Sequence, residues 1–124
     1  MVALDTSSLV AFLRGEPGRD VDAVDRALES NQAVLPPVVV VEILSDPKLD
    51  PRVAGWLRDL PVSELRPGFW QRAAATRAKI LSRGLRARLA DTLISQSCID
   101  HRMPLITRDH DFGHFERYAG LDLA

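Results

Sequence analysis

Two aspartates follow short apolar segments near opposite ends of the chain. Asp5 ends the apolar run at residues 2–4, and Asp109 comes shortly after the run at residues 104–106. Short apolar runs of this kind predict buried strands, and open α/β sheets bind their ligands beyond the carboxyl ends of such strands. Two strands that deliver carboxylates to the same edge of a sheet therefore indicate a metal site.

Two further acids lie within segments that are otherwise apolar. Glu42 interrupts a valine-rich run, where an unpaired carboxylate costs several kcal/mol. Asp91 stands where a basic loop leads into a predicted buried helix. If all four acids converge, each pair repels by about 3 kcal/mol at ~5 Å and an effective dielectric of about 20. Because no basic residue lies in the segments carrying Asp5 and Glu42, a divalent cation is the natural neutraliser, and oxygen ligands suit Mg²⁺ or Mn²⁺.

Each of these acids also has an ordinary structural explanation. Asp5 and Asp91 could cap helices, and Asp109 could form a turn. Glu42 could be the one solvent-facing position of a helix that is otherwise buried. The residues alone leave these explanations open beside the metal site.

The basic residues are unevenly distributed along the chain. A formal net charge of −1 argues against a nucleic-acid partner, but residues 66–90 hold seven bases and no acid. This distribution suits a phosphate backbone, and beside a metal site it indicates metal-assisted phosphodiester hydrolysis. A solvated helix face followed by a loop is the alternative. The candidates for binding such a nucleic-acid backbone are Arg72, Arg77, Lys79, Arg83, Arg86 and Arg88.

Length and composition predict a single domain over residues 1–124. The charged fraction of 27% is ordinary for a soluble globular chain. No apolar stretch approaches the ~20 residues that a membrane span needs. The single cysteine, Cys98, excludes an internal disulfide framework and fits the reducing cytoplasm.

Strands and helices alternate in the predicted order of elements. Strands are expected at residues 2–4, 33–35, 60–65, 104–107 and 121–123. Propensity would also make a strand of the valine run 38–44, but the two prolines before it favour the start of a helix. The helix from residue 67 or 68 to Ser82 is expected to bury a stripe of Trp70, Ala74, Ala78 and Leu81. Such alternation predicts an α/β fold with a mainly parallel sheet that is covered on both faces.

The segments that carry these acids resemble those of PIN-domain ribonucleases, and the size and motifs resemble the VapC-type toxins of bacterial toxin–antitoxin pairs. The matching segments are residues 4–7 (Leu-Asp-Thr-Ser), Glu42 in its valine-rich helix, residues 91–95 and residues 105–112. Their order and spacing fit over the whole chain.

The resemblance implies a fold, an activity and partners. The fold would be a three-layer α/β/α sandwich with a mainly parallel central sheet. The activity would be endoribonuclease activity with Mg²⁺ or Mn²⁺, and the partners would be RNA, a second copy in a homodimer, and a small antitoxin that wraps the toxin and blocks its site. The implied catalytic residues are Asp5, Glu42, Asp91 and Asp109.

The resemblance also implies a role for each residue of the site. Asp5, Asp91 and Asp109 would hold the metal, directly or through water, and Glu42 would bind the metal or orient the attacking water. Thr107 is similar to a hydroxyl residue near the metal and would orient Asp109 or a water. Asp111 occupies a place where some members carry a further acid.

The sequence thus predicts a metal-dependent endoribonuclease that acts as the toxin of a toxin–antitoxin module. Three alternatives remain at this point. One is a related module that binds RNA without cutting it, and another is a carboxylate-based phosphohydrolase of small molecules. The third is a structural dimer whose acids are helix caps.

Overall fold

A parallel sheet of three short strands forms the centre of the computed structural model, which describes all 124 residues. The strands are β1 (Val2–Leu4), β2 (Ala33–Val34) and β3 (Leu105–Ile106), in the order β2-β1-β3. Apolar residues fill these strands because β1 is covered on both edges and both faces. In the register of β1 and β3, Leu4 stands opposite Ile106. The residues that follow the two strands, Asp5 and Thr107, therefore leave the sheet side by side.

Helices cover both faces of this sheet, so the fold is the three-layer α/β/α sandwich that the sequence predicts. None of the helices is long and apolar enough to cross a membrane. The helices are α1 (Thr6–Leu13), α2 (Arg19–Glu29), α3 (Pro37–Leu44), α4 (Pro51–Arg58), α5 (Phe69–Leu81), α6 (Leu89–His101) and α7 (Gly113–Ala119), with a 3₁₀ turn at His110–Phe112 before α7.

The valine-rich run is helical, as the prolines before it predict. Pro36 precedes α3 in an extended conformation, and Pro37 is its first residue. A proline in the first turn loses no hydrogen bond, because the first amides of a helix have no intrahelical partner. Only Val39 and Ile43 of this helix are fully buried, whereas Val41 is 67% exposed. The β-propensity of valine is therefore outweighed by the prolines and by the packing of one helical face.

Two of the expected strands are reduced to single bridges. Val62 pairs only with Leu35, and Leu123 pairs only with Leu105. Pro61 has no amide hydrogen to continue a ladder, and Val62 is 47% exposed, so little apolar burial stabilises a longer strand here. The prediction of full strands at residues 60–65 and 121–123 is therefore wrong, although both segments do lie beside the sheet.

Helix α5 buries a different face from the one expected. Phe69, Ala73 and Ile80 are buried, while Trp70 is 61% and Leu81 44% exposed. The sequence offers two apolar stripes that are offset by one residue, and helical spacing alone does not choose between them. Packing against α6 and α7 selects the stripe that begins at Phe69. Trp70 then lies outside, with its ring edge-to-face against Phe69 at a centroid distance of 5.1 Å.

The two neighbouring aromatics of α5 should contribute very differently to stability. Phe69→Ala should lower the free energy of unfolding by about 3–5 kcal/mol because it opens a cavity in the core. Trp70→Ala should lower it by only about 1 kcal/mol, the size of the lost edge-to-face contact. Urea unfolding followed by circular dichroism measures both values. Equal losses in the two variants would contradict this assignment of the buried face.

Candidate active site

Three carboxylates converge where α6 meets the segment after β3. Asp91, Asp109 and Asp111 each offer an oxygen atom, and these atoms all lie within 4.8 Å of one another. Asp91 is in the first turn of α6, and Asp109 directly precedes the 3₁₀ turn that contains Asp111. Asp109 Oδ1 accepts a hydrogen bond of 2.9 Å from the Asp111 amide, so the turn itself fixes these two acids relative to each other.

Asp5 adjoins this group through a hydrogen-bonded hydroxyl. The carboxylate is 4% exposed, and its Oδ2 accepts hydrogen bonds from Ser7 Oγ at 2.6 Å and from Thr107 Oγ1 at 2.8 Å. Thr107 Oγ1 in turn accepts a hydrogen bond of 3.0 Å from the Asp109 amide. Thr107 therefore links the acid that follows β1 to the backbone of the acid that follows β3, because the register of the two strands brings them together.

Glu42 lies outside the group of three. It is exposed on α3, and its Oε1 accepts a hydrogen bond of 2.7 Å from Thr6 Oγ1. Thr6 directly follows Asp5, so this hydrogen bond holds Glu42 beside the residue next to Asp5. The exposure of Glu42 and Val41 matches the ordinary explanation of a solvent-facing edge on α3.

The capping explanations fit some of the acids and not others. Asp5 occupies the N-cap position of α1 but makes no side-chain capping bond. The N-cap of α6 is Arg88, so Asp91 is not a cap. Asp109 does form the turn with Asp111. The buried Asp5 is compensated by the hydroxyls of Ser7 and Thr107, whereas the half-buried Asp91 accepts no hydrogen bond, so its burial is unfavourable unless another partner compensates for it.

The charge of the site is only partly compensated. Burial, followed by the negative charges of Asp109 and Asp5, raises the pKa of Asp91 to about 6, and Arg88 opposes this shift. Arg86 Nη1 and Arg88 Nε each lie 4.0 Å from Asp111 Oδ2 and are largely exposed. All-oxygen donors with uncompensated negative charge are what a hard divalent cation such as Mg²⁺ or Mn²⁺ prefers, so the residues present fit such an ion.

The six candidate RNA-binding residues fall into different environments. Arg72 forms an ion pair of 2.6 Å with Asp100, and Arg77 Nε donates to the Ala87 carbonyl at 2.8 Å. The Arg83 guanidinium lies 4.3 Å above the Tyr118 ring, and Lys79 is exposed. Only Arg86 and Arg88 adjoin the acids.

Hydroxyl residues after Asp5 contribute more to the site than the sequence predicts. Hydroxyl residues at the start of a helix often cap it, but the side chains of Thr6, Ser7 and Ser8 bond to Glu42, Asp5 and Asp20. The available signal was the run of three hydroxyl residues directly after a buried acid. Its partners are 12 or more residues away in two of the three bonds, so local sequence does not identify them.

The raised pKa of Asp91 should make the metal-free protein less stable as the pH rises. Folded Asp91 binds its proton more tightly than the unfolded chain, so stability should fall between about pH 4 and pH 6 and level off above. This loss in the free energy of unfolding should be on the order of 2 kcal/mol after allowance for partial exposure, and it should be absent in Asp91→Asn. Urea unfolding of both proteins in EDTA at pH 4.5 and 7.5 checks it. Parallel slopes in the two proteins would contradict the assignment.

The chain is similar in structure to proteins from three bacteria. VapBC2 from Rickettsia felis, bound to a DNA fragment from its promoter, matches with a TM-score of 0.77 and 19% identity over 100% of this chain and 98% of that chain. FitAcB from Neisseria gonorrhoeae matches with a TM-score of 0.72 and 20% identity over 99% and 96%. A toxin–antitoxin complex from Klebsiella pneumoniae matches with a TM-score of 0.69 and 22% identity over 90% of each chain. At these identities the similarity concerns the fold.

Sequence comparison identifies the family. No curated protein matches the sequence. The model of the PIN domain family, in contrast, matches residues 2–121, which is nearly the whole chain and includes every acid of the site. The chain therefore belongs to the PIN domain family.

Proposed function

We propose that this protein is a metal-dependent endoribonuclease that acts as the toxin of a toxin–antitoxin module. The observation that carries the proposal is the convergence of Asp91, Asp109 and Asp111 within 4.8 Å, next to the buried Asp5 and beside two arginines. Membership of the PIN domain family supports a nuclease. The similar fold in the Klebsiella pneumoniae toxin–antitoxin complex supports the toxin role.

Asp91, Asp109 and Asp111 would hold Mg²⁺ or Mn²⁺ through their converging oxygens. Asp5 would contribute its Oδ1, because Oδ2 already accepts two hydrogen bonds. A divalent ion bound here would lower the pKa of a water molecule and stabilise the charge that develops on the phosphate. The sequence resemblance assigns the metal to Asp5, Asp91 and Asp109, and the proximity of Asp111 adds a fourth candidate ligand.

The side chains of this chain would position the reacting groups. Ser7 and Thr107 fix the orientation of Asp5, and Thr107 also fixes the backbone at Asp109. Glu42 is hydrogen-bonded to Thr6, next to Asp5, and it would bind the metal or orient the attacking water. Arg86 and Arg88 would bind the phosphate backbone, since their guanidinium groups are exposed beside the acids.

The openness of the site supports a polymeric substrate over a small molecule. No cavity in the structure is lined by two acids of the site: Asp109 lines one, Glu42 lines another, and Asp5, Asp91 and Asp111 line none. A phosphohydrolase of small molecules needs a pocket that encloses most of its ligand. An open acidic site beside exposed arginines instead suits a strand that passes over the surface.

The proposed partners follow from the toxin role. A small cognate antitoxin would cover the site, and two copies of the chain would form a homodimer. The name of VapBC2 from Rickettsia felis matches the toxin type that the sequence resembles, and it supports the antitoxin partner. Action in the cytoplasm agrees with the single, buried and unpaired Cys98.

Cleavage of RNA should depend on a divalent cation and on Asp109. Purified protein without antitoxin is incubated with total cellular RNA and Mg²⁺ or Mn²⁺, with EDTA as a control, and the cut ends are mapped. Discrete cuts should fall by at least about 10²-fold in Asp109→Asn, because a ligand of the metal is lost.

A matched variant separates this effect from a contaminating nuclease. Asp25→Asn removes an exposed acid of α2 and should cut like the wild type. If Asp109→Asn and Asp25→Asn cut alike, the site is not the nuclease. Folded wild-type protein that binds Mn²⁺ but leaves RNA intact would favour an RNA-binding module that does not cut.

Removing Arg86 and Arg88 should have opposite effects on RNA and on metal. The double variant Arg86→Gln/Arg88→Gln should raise the Kd for RNA about tenfold. It should also make the slope of log Kd against log salt concentration smaller, by the amount that about two phosphate contacts contribute. The same change should tighten Mn²⁺ binding, because Asp111 loses its cationic neighbours. Fluorescence anisotropy and calorimetry measure the two affinities. Arg58→Gln, at an exposed position of α4, is the control. If the double variant binds RNA and Mn²⁺ as this control does, the assignment is contradicted.

A further inference from the structure

Arg108 lies between Thr107 and Asp109 but its side chain points away from the acids. Its Nε and Nη2 donate to Asp20 Oδ2 at 2.8 Å and Oδ1 at 3.1 Å, which makes the pair bidentate. Nη2 also donates to the Pro17 carbonyl at 3.2 Å, and Nη1 lies 3.7 Å from Glu16. The whole guanidinium group is therefore bound to residues 16–20, which form the end of the α1–α2 connection and the first turn of α2.

Asp20 is also bound to the N-terminal end of α1. Ser8 Oγ donates to Asp20 Oδ2 at 2.8 Å. The adjacent Ser7 orients Asp5 and accepts a hydrogen bond of 3.3 Å from the Arg108 amide. Asp20 thus touches two of the three segments that carry acids of the site, the one that follows β1 and the one that follows β3.

The backbone of the α1–α2 connection passes very close to this ion pair. A Cβ atom at Gly18 would lie 2.5 Å from Asp20 Oδ1 and 2.9 Å from Arg108 Nη2, so the backbone approaches the pair as closely as glycine allows. The hydrogen bond from Arg108 also lowers the pKa of Asp20 to about 2, which keeps the carboxylate ionised at every pH where the protein would act.

We propose that Asp20 and Arg108 are positioning residues for the acidic site. They hold segment 107–111 against α1, so that Asp109 and Asp111 stay close to Asp91 despite the repulsion between the three carboxylates. The segment needs such support because β3 ends at Ile106 and no strand pairs with residues 107–111. The consequence for metal binding and catalysis rests on the proposed function, whereas the consequence for the segment does not.

A second ion pair in the protein has nearly the same geometry and provides the control. Arg72 Nε and Nη2 donate to the two carboxylate oxygens of Asp100 at 3.0 and 2.6 Å, and Nη1 donates to the Pro67 carbonyl at 2.7 Å. This pair joins α5 to the end of α6 opposite Asp91. A purely structural role for Arg108 predicts that losing either pair has the same consequences.

The test compares Arg108→Gln with Arg72→Gln in the full-length protein. Hydrogen exchange at the Asp109 and Asp111 amides, measured by NMR in EDTA, should accelerate at least about tenfold in Arg108→Gln and remain unchanged in Arg72→Gln. Mn²⁺ affinity by calorimetry should fall about tenfold in Arg108→Gln only. In RNA cleavage by Arg108→Gln, kcat should fall while KM remains unchanged. Arg108→Lys keeps one charged hydrogen bond and should recover part of kcat.

Three results decide the proposal. Equal exchange in Arg108→Gln and Arg72→Gln overturns it, and so does faster exchange without a change in Mn²⁺ affinity when the wild type binds Mn²⁺. A wild type that neither binds Mn²⁺ nor cuts RNA refutes the proposed function, and the exchange data then decide the positioning role alone. If Arg108→Gln does not fold, Asp20→Asn replaces it, because this change keeps the shape of the side chain and removes its charge.

Discussion

Repulsion between like charges is the constraint on which this structure depends. Asp91, Asp109 and Asp111 lie within 4.8 Å of one another, and the pKa of Asp91 is raised to about 6 because burial and its acidic neighbours disfavour the ionised form. Such a group would separate if its backbone were free to move. The rest of the chain therefore has to fix the two segments that carry it, namely the start of α6 and residues 107–111.

Three kinds of contact hold residues 107–112 in place. Thr107 is hydrogen-bonded to Asp5, which ties the segment to β1. Arg108 is paired with Asp20, which ties it to α2. Phe112 is fully buried and packs against Phe115 at a centroid distance of 6.2 Å, which ties it to the core. Because the side chains of neighbouring residues in this segment point in different directions, each of these contacts holds the backbone without using the carboxylates of Asp109 and Asp111.

The sequence predicts the parts of this arrangement that depend on local pattern. The strand at 2–4, the helical valine run and the parallel sheet all follow from apolar runs and proline positions, and they are confirmed. The strands expected at 33–35 and 104–107 are also present, but they are shorter, at Ala33–Val34 and Leu105–Ile106. The buried face of α5 does not follow, because Phe69 and Trp70 begin two equivalent stripes and only α6 and α7 distinguish them. The segments at 60–65 and 121–123 do lie beside the sheet, but each pairs at a single residue, and the apolar pattern does not determine how far the pairing extends.

The same division applies to the acids that the sequence singles out. Glu42 stands out in an apolar run, yet it is exposed, because only one face of α3 is buried. Asp111 is singled out only by the family resemblance, and the turn that begins at Asp109 carries its oxygen into the group of three. Arg108 and Asp20 are 88 residues apart and give no local signal of their pairing. The position of an acid in the chain therefore indicates that a site exists. Which other acids lie beside it depends on the turn and the ion pair that position them.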